Sequence, residues 1–430
     1  MNRRAFFGLA GMAASPLLAQ SVETARRGAG PLKITKVEAL VVRTPGDGAA
    51  PETLAQMPPL GATTGGAGLW NRLDHASPSR TKGHTQAVLV RIRTNQGLTG
   101  WGECHAPEAP RVHKTIVTDL VAPVLLGQNA LEVQPLWEKL YSTERLRGYS
   151  TGFYTEAIAG VDLALWDLLG QFAGVPVYRL LGGKYRDHIP AYTGIGGASV
   201  ADLKSAAAKA LDDGFSVVKI SFSKGAGTND IARVAGVSEV MKNRGQVLVD
   251  SLGAFKLFEA VKLGRELDRL GNVGWWEDPL MPDDLTAYPK LADALDTAIC
   301  AGEELCNRFQ FSDFLEAKSA DIINPDVCRA GGITEVRRIA TLADAHGVMW
   351  APHISTGTAL YIAASMHLAA STPNLLISEG GRALDGPLGN DLLEEGLDWK
   401  PGWIGVPERP GLGVSFKPGA LAKVTAGENG

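Results

Sequence analysis

The sequence is poor in cysteine, and the cysteines it has form no recognisable pattern. The 430 residues contain four, Cys104, Cys300, Cys306 and Cys328, with no CxxC pair and no zinc-like spacing to histidine. We interpret them as ordinary buried thiols, and the chain offers no sequence sign of a structural zinc site.

Clustered positive charge is missing as well. Lys and Arg number 42 against 46 Asp and Glu, giving a net charge of -4, and no long basic run occurs. Because phosphate backbones and anionic lipids are bound by clustered Lys and Arg, neither nucleic acid nor a membrane surface is expected as the main partner. A small-molecule ligand is favoured. The 45% hydrophobic share can fill one large barrel-type domain or two ordinary domains.

Apolar runs long enough to cross a membrane are not found beyond the N-terminus. Residues 1–20 have a short basic start with Arg3 and Arg4, then an apolar run, in the layout of a twin-arginine-like signal peptide. A transmembrane anchor is the alternative, but the run is shorter than the roughly 20 residues of a span and contains Pro16. We therefore expect an exported, periplasmic protein without stable membrane insertion.

The first half of the remaining chain reads as strands followed by helices. "ITKVEALVVRT" and "QAVLVRIRTNQGLTGWGE" alternate like half-buried strands, with a turn at Asn95, Gln96 and Gly97. "EAIAGVDLALWDLLGQFAG" has helical periodicity and ends at Gly174. Residues 45–84, rich in Gly, Pro, Ala and Thr, are either a long functional loop or a disordered one.

After about residue 188 short apolar runs alternate with helical segments. Eight candidate strands enclose seven helical segments, which favours parallel strands closed into a (β/α)8 barrel. An open doubly wound sheet is the alternative, but no GxGxxG follows its first strand. The candidate strands are "AYTGIGG", "SVVKISF", "QVLVDSL", "VGWWEDP", "TAICAGEE", "DIINPDV", "VMWAPHI" and "NLLISEG".

Successive strands each carry an ionisable residue near the C-terminal end. Such strand ends meet at the mouth of a barrel, so these side chains are expected to face one cavity, although a solvated or loop-capping acid would explain any one alone. The residues are Lys219, Asp250, Glu277, Glu303, Asp326, His353 and Glu379.

The types of these residues suggest a metal and a base. Asp250, Glu277 and Glu303 offer oxygen ligands that suit Mg²⁺ better than zinc. Asp326 could orient His353 as a general base, whereas the alternative is a buried histidine bonded to a backbone carbonyl. No GxSxG elbow supports a serine hydrolase. Glu379 is expected either to be protonated and donate a hydrogen bond, or to cap a loop.

Irregular segments supply further candidate substrate contacts, although solvation is the usual role of exposed Arg and Tyr in loops. With Ser221, these candidates are His75, His84, Arg145, Arg147, Tyr149 and Tyr154.

This residue set, with "VDLALWDLLGQFAGVPVYRLLGG" and "PGLGVSF", resembles the mandelate racemase group of the enolase superfamily from about residue 34 to about residue 416. The resemblance implies an α/β fold: an α+β N-terminal capping domain over 31–187, a (β/α)8-type TIM barrel over 188–380, and a C-terminal tail over 381–425 that returns to the cap. It further implies one Mg²⁺ per active site, held by the three acids, and a homo-oligomer.

Two positions depart from the family pattern. Ser221 replaces the second Lys of the KxK motif that begins at Lys219, and Leu252 replaces an Asn that often follows the first metal ligand by two. The lack of a Lys in "NPDVCRAGG" argues against the muconate-cycloisomerase and dipeptide-epimerase branches. The lack of a His two residues after Asp250 argues against the galactonate and mannonate dehydratase pattern.

The resemblance implies removal of the proton beside a substrate carboxylate to give a metal-stabilised enediolate, with His353 as base and Lys219 offsetting charge. Because Ser221 supplies no second base, we favour loss of the β-hydroxyl by an acid-sugar (aldonate or aldarate) dehydratase, a hydro-lyase. A racemase, epimerase or sugar-lactone cycloisomerase using Lys219 is the first alternative. A non-catalytic sugar-acid binding protein on a decayed barrel is the second.

Overall fold

The computed structural model describes residues 30–44, 86–107, 109–221, 228–355 and 357–425. The predicted signal peptide, His75 and His84 lie outside these ranges. Within them, no helix is both long and apolar enough to cross a membrane. All four cysteines are buried and free, as expected.

The N-terminal part, which we call the cap, begins with an antiparallel sheet of three strands in the order β1-β2-β3. The predicted turn joins β2 to β3, and Gly97 has a φ of 83° there, a conformation that favours glycine. The strands are β1 (Ile34–Arg43), β2 (Gln86–Thr94) and β3 (Thr99–Cys104). The helices are α1 (Pro110–Thr115), a π-helical segment (Ile116–Val121), α2 (Ala122–Leu125), α3 (Val133–Arg145), α4 (Phe153–Ala173) and α5 (Val177–Leu180).

Helix α4 is the predicted apolar helix, and its cap at Gly174 is left-handed with a φ of 69°. It is buried over most of its length because it lies between the cap sheet and the barrel. Its contact with β3 is unusually close: a Cβ built on Gly102 would lie 1.8 Å from the carbonyl oxygen of Gly160. Only glycine allows the strand and the helix to approach this far.

The second part of the chain is the predicted barrel. Seven parallel strands run in sequential order from β5 to β11, and seven helices separate the strand segments in the described residues. Strand β4 (His188–Pro190) precedes this sheet and is not part of it. The barrel strands are β5 (Thr193–Gly194), β6 (Val217–Ser221), β7 (Gln246–Asp250), β8 (Val273–Glu277), β9 (Ile299–Ala301), β10 (Ile322–Ile323) and β11 (Met349–Trp350). The helices are α6 (Val200–Asp213), α7 (Thr228–Met241), α8 (Leu257–Asp268), α9 (Tyr288–Ala292), α10 (Arg308–Glu316), α11 (Ile333–Ala345) and α12 (Ala359–Ser371).

The eighth predicted strand, "NLLISEG", closes the barrel through single bridges instead of a ladder. Leu375 forms a parallel bridge to Trp350 at one edge of the sheet, and Ser378 forms one to Ala191 at the other. Backbone hydrogen bonds reach both edges: the N–H of Leu376 donates to the carbonyl of Trp350 at 2.9 Å, and the N–H of Tyr192 donates to the carbonyl of Ser378 at 3.0 Å. The closed barrel confirms the predicted fold class, and the open sheet is excluded.

Apolar side chains from successive strands fill the barrel interior. This interior group consists of Tyr192, Leu248, Trp275, Cys300, Ile322 and Ala351. A larger apolar cluster covers the outer faces of the strands and continues into the cap.

The segment after the barrel, which we call the tail, returns to the cap. Asp167 of α4 accepts hydrogen bonds from the N–H of Leu412 in the tail and of Trp101 in β3, both at 2.9 Å. The tail contains two 3-10 turns (Gly381–Leu384 and Asn390–Leu392), β12 (Trp399–Lys400), β13 (Trp403–Gly405) and α13 (Ala420–Val424). Strand β13 pairs with β4.

Candidate active site

Three predicted acids lie side by side at the mouth of the barrel. Asp250 ends β7 and Glu277 ends β8, and the two face each other in register. Glu303 lies two residues beyond β9, and all three are buried. Parallel strands that end at the same level bring these carboxylates together although the chain separates them by 26 or 27 residues.

Lys219 of β6 lies among these acids. Its Nζ is 3.0 Å from Glu379 Oε1, 3.1 Å from Glu277 Oε1 and 3.4 Å from Asp250 Oδ2. Burial opposes the charge of Lys219, but Glu277 and Glu379 outweigh it, and its pKa is well above the ordinary value. The structure therefore places a cation where the sequence predicted one.

Glu379 has the contacts of an ionised acceptor. It receives the N–H of Ile354 at 3.3 Å in addition to its ion pair with Lys219. Burial is the largest single influence and favours the neutral acid, but the charges of Lys219 and His353 and the hydrogen bonds to Glu379 together outweigh it, so the pKa of Glu379 is lowered. The protonated, hydrogen-bond-donating form predicted for Glu379 is not the form that these contacts stabilise.

The donor set fits a hard divalent cation. Burial and neighbouring like charges raise the pKa values of Asp250, Glu277 and Glu303, so these carboxylates lack sufficient positive charge nearby. Oxygens of Glu277, Asp278 and Glu303 lie within 4.8 Å of one another. Oxygen-only ligands at this spacing suit Mg²⁺ better than softer ions.

Asp278 is an acid that the sequence reading missed. Its Oδ2 is buried and has no hydrogen-bond partner among the described residues. Strand alternation after Glu277 turns the next residue away from the mouth, but a φ of 38° at Asp278 breaks that alternation. Together with Leu252 and Glu303, it lines a cavity of about 310 Å³. No sequence rule predicts this backbone conformation.

Asp326 and His353 form the predicted pair. His353 Nδ1 donates to Asp326 Oδ2 at 2.7 Å, which leaves Nε2 directed to the acids, 3.4 Å from Glu303 Oε2. Burial opposes the charge on His353, but Glu303 and Asp326 raise its pKa to about 10. Burial also opposes the charge on Asp326, but its bond to His353 and nearby cations hold its pKa well below the ordinary value.

Asp326 has further partners that were not anticipated. The backbone N–H groups of Cys328 and Arg329 donate to Oδ1 at 2.7 and 3.1 Å, and the Tyr361 hydroxyl donates to Oδ2. Tyr361 lies in the first turn of α12, and its side chain is fully buried. Its position in an apolar helix gave no signal of contact with an acid 35 residues earlier.

The loop candidates for substrate binding have mixed outcomes. Tyr154 is a correction: it lies in α4, is buried, and its hydroxyl donates to the carbonyl of Leu140 at 2.7 Å. The helix begins at Phe153, so the irregular segment ends sooner than expected.

The other predicted loop contacts remain predictions. Arg145 lies over the ring of Phe309 at 4.7 Å, and Arg147 is 3.5 Å from Glu144. Tyr149 is exposed. Ser221 is exposed at the end of β6 and in register with Asp250, at the same mouth.

Comparison with known proteins assigns the family. The family models "Enolase C-terminal domain-like" and "Mandelate racemase / muconate lactonizing enzyme, N-terminal domain" match residues 202–420 and 70–182. A D-galactarolactone cycloisomerase of Agrobacterium fabrum is 33% identical over 78% of this chain and 90% of its own. A D-galactonate dehydratase of Verminephrobacter eiseniae is 34% identical over 76% of this chain and 88% of its own. The crystal structure of an enolase superfamily member from Agrobacterium tumefaciens has a TM-score of 0.79 at 27% identity, covering 91% of this chain and 99% of that one. The chain belongs to the enolase superfamily and, within it, to the mandelate racemase group.

Proposed function

We propose that this enzyme is a lyase that dehydrates sugar acids, removing the proton beside the carboxylate and the hydroxyl on the next carbon. The carrying observation is the His353–Asp326 pair, in which Asp326 holds Nδ1 at 2.7 Å and Nε2 lies 3.4 Å from Glu303, one of the three acids. Relatives named D-galactonate dehydratase and arabinonate dehydratase support this class of reaction.

Asp250, Glu277 and Glu303 would hold one Mg²⁺: Asp250 is in register with Glu277, and oxygens of Glu277 and Glu303 lie within 4.8 Å of each other and of Asp278, which adds to the charge of the site. When bound, a divalent cation offsets the negative charge that develops on the substrate carboxylate as the neighbouring proton leaves. Lys219 adds a second positive charge beside the same acids. The family's use of Mg²⁺ and the oxygen-only donor set are the support for this metal.

His353 would act as the base. Asp326 binds Nδ1 and so fixes the ring orientation, and Nε2 faces Glu303, whose charge is the largest of the influences that raise the pKa of His353. A divalent cation held by Glu303 would offset that charge, so that Nε2 can lose its proton and then accept one from carbon. The imidazolium formed in this step can then return the proton to the departing hydroxyl, which leaves as water. The product is a 2-keto-3-deoxy acid.

Isomerisation is the second candidate, because a relative is named D-galactarolactone cycloisomerase. An epimerase needs a second base on the opposite face of the substrate. Ser221 is no base, and Lys219 already contacts three carboxylates, which favours a charge-offsetting role over proton transfer. Leu252 stands where the galactonate dehydratase pattern has histidine, and this difference separates the chain from that pattern at a position next to the proposed metal site.

The reaction can be decided by a substrate screen. The purified protein with Mg²⁺ is incubated with aldonic, aldaric and uronic acids, and 2-keto product and product mass are recorded. We expect 2-keto product with the loss of one water. A product that keeps the mass of the substrate, with only configuration or ring state changed, would favour the isomerase. No turnover and no exchange with any acid would favour the non-catalytic binding protein.

The base is tested with His353→Asn. In deuterated water the wild-type enzyme should incorporate deuterium beside the carboxylate, and the variant should incorporate none within detection, because the proton acceptor is gone. A Mg²⁺ titration of both proteins is the control, since the metal site should remain intact. Undiminished exchange in the variant would remove His353 from this role.

Export and homo-oligomer formation belong to the same proposal. The support for export is the twin-arginine-like layout of residues 1–20, and the support for an oligomer is family resemblance. Fusion of this segment to a reporter, with Arg3 and Arg4 changed to Lys as the control, tests the first. The solution mass from light scattering tests the second.

A further inference from the structure

Glu277, the middle one of the three proposed metal ligands, is held by three nitrogen donors. Trp275 Nε1 donates to Oε2 at 3.0 Å, whereas Asn324 Nδ2 donates to Oε1 at 3.3 Å. Lys219 Nζ donates to the same Oε1 at 3.1 Å. Only 2% of the Glu277 side chain is exposed. The two neutral donors, Trp275 and Asn324, take no part in the proposed proton transfer, so their bonds to this carboxylate need another explanation.

Trp275 reaches Glu277 from the barrel interior. It precedes Glu277 by two residues on β8, so both side chains point to the same face of the strand. Its ring is buried in the interior apolar group and lies edge-on to Tyr192, with the ring centroids 5.7 Å apart. Trp276, the next residue, faces the outside of the barrel, and its Nε1 donates to Ser251 Oγ at 2.7 Å. Two adjacent tryptophans thus make bonds of the same kind, and the inward one bonds the carboxylate.

Asn324 reaches the other oxygen of Glu277 from a strand that is not adjacent to β8. It follows β10 directly, and β9 lies between the two strands. Because a carboxylate only accepts, the amide nitrogen of Asn324 faces Glu277. The amide oxygen is buried and has no partner in the described part of the chain, which costs free energy. The orientation of this amide therefore satisfies Glu277 and leaves Asn324 itself incompletely bonded.

We propose that Trp275 and Asn324 are positioning residues for the metal, which hold the Glu277 carboxylate in the orientation in which it binds Mg²⁺. N–H donors on both oxygens fix the plane of the carboxylate and stabilise its charge before the cation arrives. The proposed base is oriented by a different group, Asp326, so loss of either donor acts on metal affinity more than on the chemical step. This inference rests on the proposed function, which includes the Mg²⁺ site.

Trp275→Phe tests the first donor, because it removes the indole N–H and keeps an aromatic ring. Isothermal titration calorimetry with Mg²⁺ should give a Kd about tenfold above that of the wild type, the lower end of the usual effect of removing such a partner. The Mg²⁺ concentration for half-maximal activity should rise in parallel, while kcat at saturating Mg²⁺ changes much less. Trp276→Phe is the matched control, since it removes the same kind of bond on the outside of the barrel, and its Kd should match wild type.

Asn324→Ala tests the second donor and does not depend on whether Trp275→Phe folds. Its Kd for Mg²⁺ should also rise about tenfold. Asn374→Ala is the matched control and should keep the wild-type Kd. Asn374 is another buried asparagine whose Nδ2 donates, in its case to the carbonyls of Ala340 and Val348 at 3.1 Å, and whose Oδ1 has no partner among the described residues.

The outcomes separate this inference from the proposed function. Wild-type affinity for Mg²⁺ in either test variant would remove that residue from the positioning role, and so would an equal loss of affinity in its control, which would indicate a general effect of lost packing. Each of these results leaves the dehydratase proposal standing. If the wild-type protein itself binds no Mg²⁺, the proposed metal site falls, and this inference with it.

Discussion

Asp326 is the residue through which His353 is positioned, and its own environment explains why it can do so. Three donors besides His353 converge on its two oxygens, two from the backbone and one from Tyr361. Hydrogen bonds to an ionised carboxylate are stronger than those between neutral groups. The carboxylate is therefore fixed in place and kept charged although it is fully buried.

Tyr361→Phe tests this positioning role. The change removes one hydrogen bond to Asp326 and keeps the ring, and loss of a bond to a charged group is worth about 1.5 kcal/mol, so kcat should fall about tenfold. Steady-state kinetics and a Mg²⁺ titration should show reduced kcat with unchanged metal affinity. Tyr154→Phe is the control, since that hydroxyl also donates from a buried site, but to Leu140, and its kcat should match wild type. Equal loss in both variants would contradict a role specific to Asp326.

At the level of elements, the joint between β3 and α4 sets the position of the residues that follow β3, where the cap meets the barrel. Three glycines make the joint: a Cβ on Gly100 would lie 2.2 Å from the carbonyl oxygen of Ala164, and one on Gly160 would lie 2.5 Å from Cys104 Sγ, in addition to the contact at Gly102. These distances are shorter than any real Cβ contact, so a larger residue must separate strand from helix. His105 follows β3 directly and would move with it.

Gly102→Ala should therefore destabilise the protein by about 3 kcal/mol, the upper end of the usual cost of overpacking. Urea unfolding followed by circular dichroism measures the change. Gly30→Ala is the matched control, because no atom lies within 4 Å of a Cβ at that position. A Gly102 variant as stable as the Gly30 variant would show that the joint can relax and that the close approach is not required.

Over the whole molecule, the sequence predicted the features that depend on hydrophobic periodicity and on the order of strands and helices along the chain. The spacing of strand-end residues led to Lys219 and the acids, since each strand–helix unit repeats the same path. It did not lead to His105 and Arg329, which are 224 residues apart and meet only because the cap packs on the barrel. Nor did it lead to Asp278, whose position depends on an unusual backbone angle, or assign Tyr154 correctly, because the start of a helix is weakly marked in sequence.

Buried polar contacts lock the cap onto the rest of the chain. Trp137 of α3 donates to the carbonyl of Gly331 at 2.6 Å, and Asp162 of α4 accepts from the N–H of Thr334 at 2.9 Å. Glu103 of β3 accepts from the N–H of Thr358 at 2.9 Å and from its hydroxyl. Apolar burial supplies affinity between the two parts, but these directional bonds fix their orientation, and with it the position of His105, whose ring is 6.4 Å from that of His353.

The Glu103 contact makes stability depend on pH in a defined direction. Burial, only partly offset by the bonds from Thr358, raises the pKa of Glu103 from 4.5 to about 7. Between these values the folded protein keeps a proton that the unfolded chain has lost, so stability falls as pH rises through this window and is constant above it, a change of about 3 kcal/mol in all.

Glu103→Gln has no such proton to lose. The free energy of unfolding of wild type minus that of Glu103→Gln, measured in urea at constant Mg²⁺, should therefore decrease from pH 5 to pH 7 and stay level to pH 8. The exposed Glu316→Gln variant should show no comparable trend against wild type, and a difference for Glu103→Gln that does not vary with pH would mean that Glu103 is ionised in the folded protein throughout this range.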